Sequence, residues 1–200
     1  HSIRRRQRQM CIRDRHRFLL SFFICMFSTI SINAAKLEIS IKGEGANGTV
    51  VVELFEDVAP QHVERILTLA SNGSYDGIVF HRVIDGFMAQ TGDVQFGKVG
   101  DNIAMAGRGG SELPDLPAEF SNIPFDRGIV GMARAQNPNS ANSQFFIMFK
   151  EGYFLNGQYT VVGKVVEGME IVDTIKLGLG SNGAVLGAPD FMEKVSSMDQ

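Results

Sequence analysis

Short runs in which apolar and polar residues alternate recur along this chain, and glycine-rich connections separate them. In the run 36–42 the apolar residues Leu37, Ile39 and Ile41 occupy every second position. That is the period of a half-buried β-strand. By the same pattern and by β-branched or aromatic content, further strands are predicted at 49–55, 78–84, 128–133, 144–149, 160–166 and 191–197. The chain is therefore predicted to be mainly β.

Two segments have a helical period instead. From Pro60 onward the apolar residues fall at positions i, i+3, i+4 and i+7, and they are Val63, Ile66, Leu67 and Ala70. Pro60 suits a first helical turn, and Asn72-Gly73 supplies a stop. A second helix is predicted at 168–176. Many short strands with two helices indicate a closed antiparallel barrel with helices over its ends.

The first 35 residues have the pattern of a secretory signal peptide. Arg13, Arg15 and Arg17 precede an apolar run at 18–32, and small residues follow it. The run is shorter than the roughly 18–20 residues of a spanning helix. We therefore expect cleavage after Ala34 or Ala35, a folded domain at 36–200, and no stable membrane span afterwards. An uncleaved signal anchor is the alternative.

Charge and cysteine content exclude several classes of function. Residues 1–34 carry a net charge of +6 and the rest of the chain carries −9, which argues against nucleic acid as a partner. Both cysteines, Cys11 and Cys25, lie in the segment expected to be removed. The folded domain is therefore expected to have no disulfide, no catalytic thiolate and no cysteine-bound metal.

The two histidines of the folded domain do not suggest a metal site. His62 lies on the predicted helix and is expected at the surface or its boundary, whereas His81 is expected to be a core histidine bonded to backbone. No H-E-x-x-H motif or histidine pair is present, so we expect no metal and no cofactor. The folded domain therefore has few residues suited to proton transfer or covalent catalysis.

The run Q-F-F-I-M-F at 144–149 is unusual because both of its faces are apolar. One face holds Phe145, Ile147 and Phe149, and the other begins with Gln144. The second face either lines a groove or is buried beneath the long glycine- and proline-rich connection at 97–127. Periodicity does not decide between these two arrangements.

Three motifs carry a resemblance to a known family. They are F-H-R-V-I-D-G-F-M-A-Q-T-G-D at 80–93, G-M-A-R-A-Q-N-P-N-S-A-N-S-Q-F-F-I at 131–147, and F-L-N-G-Q-Y-T-V-V-G-K-V at 154–165. Together they resemble the cyclophilin family of peptidyl-prolyl cis-trans isomerases, over about residues 37 to 176. The resemblance implies a closed eight-stranded antiparallel β-barrel, capped by two α-helices, with a shallow groove on its outer surface.

The resemblance also implies roles for individual residues. Arg82 corresponds to the catalytic group that donates hydrogen bonds to the carbonyl of the substrate proline, and Gln90 to the residue that orients it. The residues that match the apolar pocket for the proline ring are Phe87, Met88, Phe146 and Leu155. The remaining substrate-binding positions are Gln144 on the rim, the backbone at Ala133 and Arg134, and Tyr159 at the edge.

The implied partners are proline-containing unfolded or extended polypeptides, bound by a monomer that assists protein folding. A proline-peptide-binding module or holdase chaperone with the same groove is the alternative function, and an inactive barrel is a third. Tyr159 stands where many relatives have histidine, and Phe154 where many have tryptophan. These two residues resemble bacterial members, which with the signal peptide predicts a bacterial periplasmic protein.

Weak cyclosporin binding is predicted, because Phe154 lacks the indole N–H that helps hold this inhibitor in the relatives with tryptophan. Phe154→Trp should strengthen inhibition of isomerase activity by cyclosporin, measured as a titration of both proteins. Nanomolar inhibition of the unmutated protein would refute the prediction.

Overall fold

The structure is a computed structural model that describes residues 34–198. The predicted signal peptide lies outside the described residues, apart from Ala34 and Ala35. Within the described range, no helix has both the length and the apolar character needed to cross a membrane.

Nine strands form one antiparallel sheet, and two α-helices accompany it. The strands are β1 (Lys36–Lys42), β2 (Gly48–Leu54), β3 (Ile78–Val79), β4 (Arg82–Ile84), β5 (Met88–Thr91), β6 (Ile129–Met132), β7 (Phe145–Met148), β8 (Val161–Glu167) and β9 (Phe191–Met198). The helices are α1 (Pro60–Ser71) and α2 (Met169–Val172), and two 3₁₀ turns span Ile103–Met105 and Tyr153–Leu155. The order across the sheet is β3-β9-β1-β2-β8-β6-β7-β5-β4.

The predicted mainly β fold, with an antiparallel sheet and two helices, is confirmed. The sheet is curled, and its two edge strands, β3 and β4, are neighbours in the chain. The predicted strand at 78–84 is divided, because β3 pairs with β9 whereas β4 pairs with β5. The strand β5 was not predicted, and α2 is shorter than the predicted helix at 168–176. The structure therefore has nine separate strands.

The interior core combines inward residues of the strands with one face of α1. Leu37, Ile39 and Ile41 of β1 belong to it, as the alternation predicts, together with Val63 and Ile66 of α1. Helix α1 packs against β9.

A second apolar cluster lies on the other face of β7. Phe145 and Ile147 belong to the interior core, whereas Phe146 and Met148 belong to the second cluster, where they meet Phe125 from the long connection. Both predicted arrangements are therefore correct in part. The long connection covers some of this face, and the rest lines a cavity.

His62 is fully buried, so its predicted place at the surface or its boundary is wrong. Its Nδ1 lies 2.6 Å from Oε2 of Glu119, which reaches α1 from the long connection. The same carboxylate accepts the backbone N–H groups of Gln61 and His62 in the first helical turn. The preceding residue, Ala59, provides no side-chain cap, so Glu119 caps the helix from a distance.

Because of these hydrogen bonds, the free energy of unfolding depends on whether Glu119 is protonated. Partial burial opposes its ionisation, but the hydrogen bonds from the His62 ring and from two backbone N–H groups outweigh burial and lower its pKa. The ionised carboxylate therefore contributes stability that is fully present above its unfolded pKa. That contribution is lost as the pH falls through the lower folded value.

Glu119→Gln should reduce the free energy of unfolding at pH 7 by about 1–2 kcal/mol, the usual cost of a lost helix cap. The measurement is urea denaturation of both proteins from pH 7 down to pH 3, and the difference should shrink below the ordinary pKa of glutamate. Glu64→Gln is the matched control, because Glu64 is exposed on the same helix. An equal loss in both variants, or a difference that grows in acid, would contradict the assignment.

Candidate functional site

One cavity on the second apolar cluster collects most of the predicted site residues. Its volume is about 240 Å³. The residues that line it are Arg82, Phe87, Met88, Gln90, Ala133, Arg134, Phe146, Phe154, Leu155 and Tyr159. Nine of these are predicted site residues and Phe154 is the additional one. The tenth predicted residue, Gln144, lines a neighbouring cavity of about 450 Å³.

The floor of the cavity is apolar. Met88, Phe146 and Leu155 are all buried, and they come from β5, β7 and a 3₁₀ turn. Phe87 and Phe154 form a wall, with ring centroids 5.4 Å apart. A small apolar ring is the kind of group that such a site takes up from water.

Arg82 stands at the rim, and two hydrogen bonds hold its guanidinium. Its Nη1 donates to Oε1 of Gln90 at 3.0 Å, and its Nε donates to the carbonyl oxygen of Asn182, also at 3.0 Å. Arg82 and Gln90 are directly opposite each other on β4 and β5, so strand register brings them together. Within residues 34–198, Nη2 has no hydrogen-bond partner, which leaves it for a ligand.

Gln90 is itself fixed by further amide groups. Its Nε2 donates to Oε1 of Gln144 at 2.9 Å, and Nε2 of Gln144 donates to the carbonyl of Gly109 at 2.8 Å. Gly109 is held in turn, because its N–H donates to the buried carboxylate of Asp93 at 2.9 Å. This chain of hydrogen bonds leads from the rim to the long connection.

Partial burial lowers the pKa of Arg82, but an arginine remains charged at neutral pH. The cavity therefore presents a positive hydrogen-bond donor beside an apolar floor. A fixed donor of this kind is strengthened by the exclusion of water.

Tyr159 closes the far side of the cavity. Its ring meets Phe146 edge-on, with centroids 5.9 Å apart, and the guanidinium of Arg134 lies 4.5 Å from its centroid. Arg134 also donates hydrogen bonds to the backbone carbonyls of Gln158, Ala135 and Gln136. These contacts engage the Arg134 side chain within the protein, so it supports the wall formed by Tyr159.

His81 does not act at this site. It is a core residue, as predicted, and the backbone of Val79 and the side chain of Gln144 lie close enough to the ring to raise its pKa, although neither ring nitrogen reaches full hydrogen-bond geometry among the described residues. Burial lowers the pKa of His81 to about 4, so the ring is neutral at pH 7. Within residues 34–198 no group of three or more His, Cys, Asp or Glu residues could hold a metal ion.

Two contributors to the site were not among the predicted residues. Phe154 lines the cavity although about two thirds of it is exposed. Asn182 contributes its backbone carbonyl. Because every residue has such a group, the residue type at position 182 could not indicate this contact.

The chain is similar to known proteins of one family. The family model for "Cyclophilin type peptidyl-prolyl cis-trans isomerase/CLD" matches residues 36–195. The chain belongs to the cyclophilin family. A "Probable peptidyl-prolyl cis-trans isomerase" of Brucella suis is 60% identical over 152 residues, which cover 75% of this chain and 78% of the relative.

More distant members of the cyclophilin family also match. A peptidyl-prolyl cis-trans isomerase of Arabidopsis thaliana is 36% identical over 129 residues, 64% of this chain and 77% of the relative. The crystal structure of a cyclophilin-type isomerase from Cryptosporidium parvum has a TM-score of 0.70 at 25% identity, covering 84% of this chain and 99% of that chain. The protein is therefore a peptidyl-prolyl cis-trans isomerase.

Proposed function

We propose that this cyclophilin catalyses rotation about X–Pro bonds by stabilising the twisted amide with Arg82. Resonance gives the amide C–N bond partial double-bond character and a rotation barrier of about 18–20 kcal/mol. No bond has to break, so the site needs neither a nucleophile nor a titrating base. The observation that carries this proposal is the free Nη2 of a doubly anchored Arg82 beside the apolar floor.

The chemistry follows from what rotation does to the amide. When resonance is lost, the lone pair localises on the proline nitrogen and the C–N bond becomes single. A guanidinium that donates to the proline carbonyl, and that can approach this nitrogen, interacts more strongly with the twisted amide than with the planar one. Such a difference lowers the barrier, and each 1.4 kcal/mol or so increases the rate tenfold.

We infer that the substrates are proline-containing stretches of unfolded or extended polypeptide and that the protein assists their folding. The cavity, of about 240 Å³ and with the buried Met88, Phe146 and Leu155 beneath it, suits the proline ring. A related Cryptosporidium parvum cyclophilin has been crystallised in the presence of the dipeptide Ala-Pro. Action as a monomer is part of this proposal. Phe154 offers a solvent-exposed ring without an N–H group, which supports weak cyclosporin binding.

We also propose that the curled sheet forms a closed eight-stranded barrel. Its edge strands β3 and β4 are separated by Phe80 and His81 alone, and they count as one strand if this two-residue gap is disregarded. Counted in this way, the sheet has eight strands, which supports a closed barrel.

Export to the bacterial periplasm is proposed from the pattern of residues 1–35. The basic region, the apolar run and the small residues Ala34 and Ala35 support cleavage by a signal peptidase. Expression of the full chain in a Gram-negative host should place the protein in the periplasmic fraction, with an N-terminus at residue 35 or 36 by sequencing. Retention of the intact chain in the membrane fraction would support the signal anchor instead.

Arg82→Ala should lower kcat/KM for an Ala-Pro-Phe peptide by about a hundredfold or more, since the variant loses the donor to the twisted amide. A protease-coupled isomerisation assay on residues 36–200 measures this change. Arg82→Lys is the matched control, because it keeps the charge without the planar fork and should retain part of the activity.

Full activity of Arg82→Ala would refute the proposed mechanism. Absence of turnover by the folded wild-type protein, together with retained binding of proline peptides, would favour the holdase alternative. Chaperone activity that survives Arg82→Ala would show that the protein assists folding both as an isomerase and as a holdase.

A further inference from the structure

The carbonyl oxygen of Asn182 is the second anchor of Arg82, and it comes from a part of the chain far from the sequence motifs. It accepts the Nε–H of Arg82 at 3.0 Å, whereas Oε1 of Gln90 accepts from Nη1. The two bonds together hold the planar group at two of its three nitrogens. Rotation of the guanidinium plane would break one of these two hydrogen bonds. The direction in which the N–H groups of Nη2 point is therefore fixed.

The segment 178–185 presents this carbonyl by packing along the free edge of β4. The N–H of Val83 donates to the carbonyl of Gly183 at 2.7 Å, and the N–H of Gly178 donates to the carbonyl of Val83 at 2.9 Å. Arg82 itself forms a β-bridge with Ala184. The segment thus continues the sheet beyond its edge strand.

We propose that Asn182 and Gly183 are positioning residues for catalysis, which direct Nη2 of Arg82 at the substrate amide. The inference rests on the proposed role of Arg82. Gln90 alone would leave the guanidinium free to swing about the Nη1 bond, whereas the carbonyl of Asn182 stops that motion. A misplacement of about 1 Å in such a group can cost up to a hundredfold in rate.

Gly183 is where this arrangement can be tested. Its φ is +68°, and a Cβ at this position would lie 2.4 Å from Cγ1 of Ile84 and 2.8 Å from the carbonyl oxygen of Val83. A side chain would therefore push the segment away from β4 and carry the Asn182 carbonyl with it. Gly180 has nearly the same φ, +67°, but a Cβ there would meet no atom within 4 Å. Gly180→Ala therefore reproduces the backbone strain of Gly183→Ala without the collision.

The experiment compares kcat and KM of Gly183→Ala and Gly180→Ala in two backgrounds, the wild type and Arg82→Lys. In the wild-type background Gly183→Ala should lower kcat about tenfold or more, with KM within about twofold, while Gly180→Ala stays within about twofold in both. In the Arg82→Lys background Gly183→Ala should cost less than about twofold, because the anchored guanidinium is already gone.

A second measurement needs no glycine variant and so does not depend on how well Gly183→Ala folds. In ¹⁵N NMR of the wild-type protein, the Arg82 Nε–H signal is assigned by its loss in Arg82→Lys. The bond to Asn182 should slow the exchange of that proton with water well below that of the exposed arginines. Exchange as fast as theirs would overturn the proposal.

The outcomes separate this inference from the proposed function. Unchanged kcat in a folded Gly183→Ala, or an equal loss in both Arg82 backgrounds, would overturn the positioning role while Arg82 remained catalytic. Equal activity of the wild type, Arg82→Lys and Arg82→Ala would overturn the catalytic role of Arg82 itself.

Discussion

The two hydrogen bonds that hold the Arg82 guanidinium are the constraint around which this cyclophilin is organised. A guanidinium on a flexible stem loses conformational entropy when it is fixed, and contacts with the surrounding structure have to offset that loss. It does so from two directions. Strand register places Gln90 opposite Arg82 on one side, and the segment 178–185 brings the Asn182 carbonyl to the other. Catalysis by a fixed donor depends on such preorganisation, because the donor does not have to reorient during the reaction.

The anchoring extends well beyond the rim. Gln90 is held by Gln144, and Gln144 by the carbonyl of Gly109. The buried Asp93 then fixes this part of the long connection, because its carboxylate accepts N–H groups of Gly107 and Gly109. Each polar group in this series is satisfied by the next, as buried networks require. The glycine-rich connection is therefore part of the support of the cavity rim.

The strand β7 shows how one element serves both the fold and the site. Phe145 and Ile147 face the interior, and Phe146 and Met148 face the cavity side. A strand with two apolar faces is expected in a fully covered sheet. Here Phe125 and the 3₁₀ turn at Tyr153–Leu155 cover only part of the second face. The uncovered part becomes the apolar floor of the cavity.

How much could be predicted from the sequence differs between elements for physical reasons. Alternation of period two located β1 with its observed bounds, and helical spacing located α1 from Pro60. The short strand β5 was missed, because the four residues Met88–Thr91 show no alternation of their own. The placement of His62 was wrong, because its burial depends on Glu119, which is 57 residues away in the chain. Long-range contacts of this kind leave no local pattern.

The sequence by itself determined the mainly β class, the helix α1 and, through three motifs, the residues that line the cavity. The mainly β class and α1 follow from side-chain type and spacing, which are local properties of the chain, whereas the cavity residues follow from the resemblance of the three motifs to a known family. Only the tertiary structure decided which face of β7 would stay partly open, and how Arg82 would be held. The Asn182 carbonyl illustrates the reason, since every residue has a backbone carbonyl and only the folded path of the chain gives this one a direction.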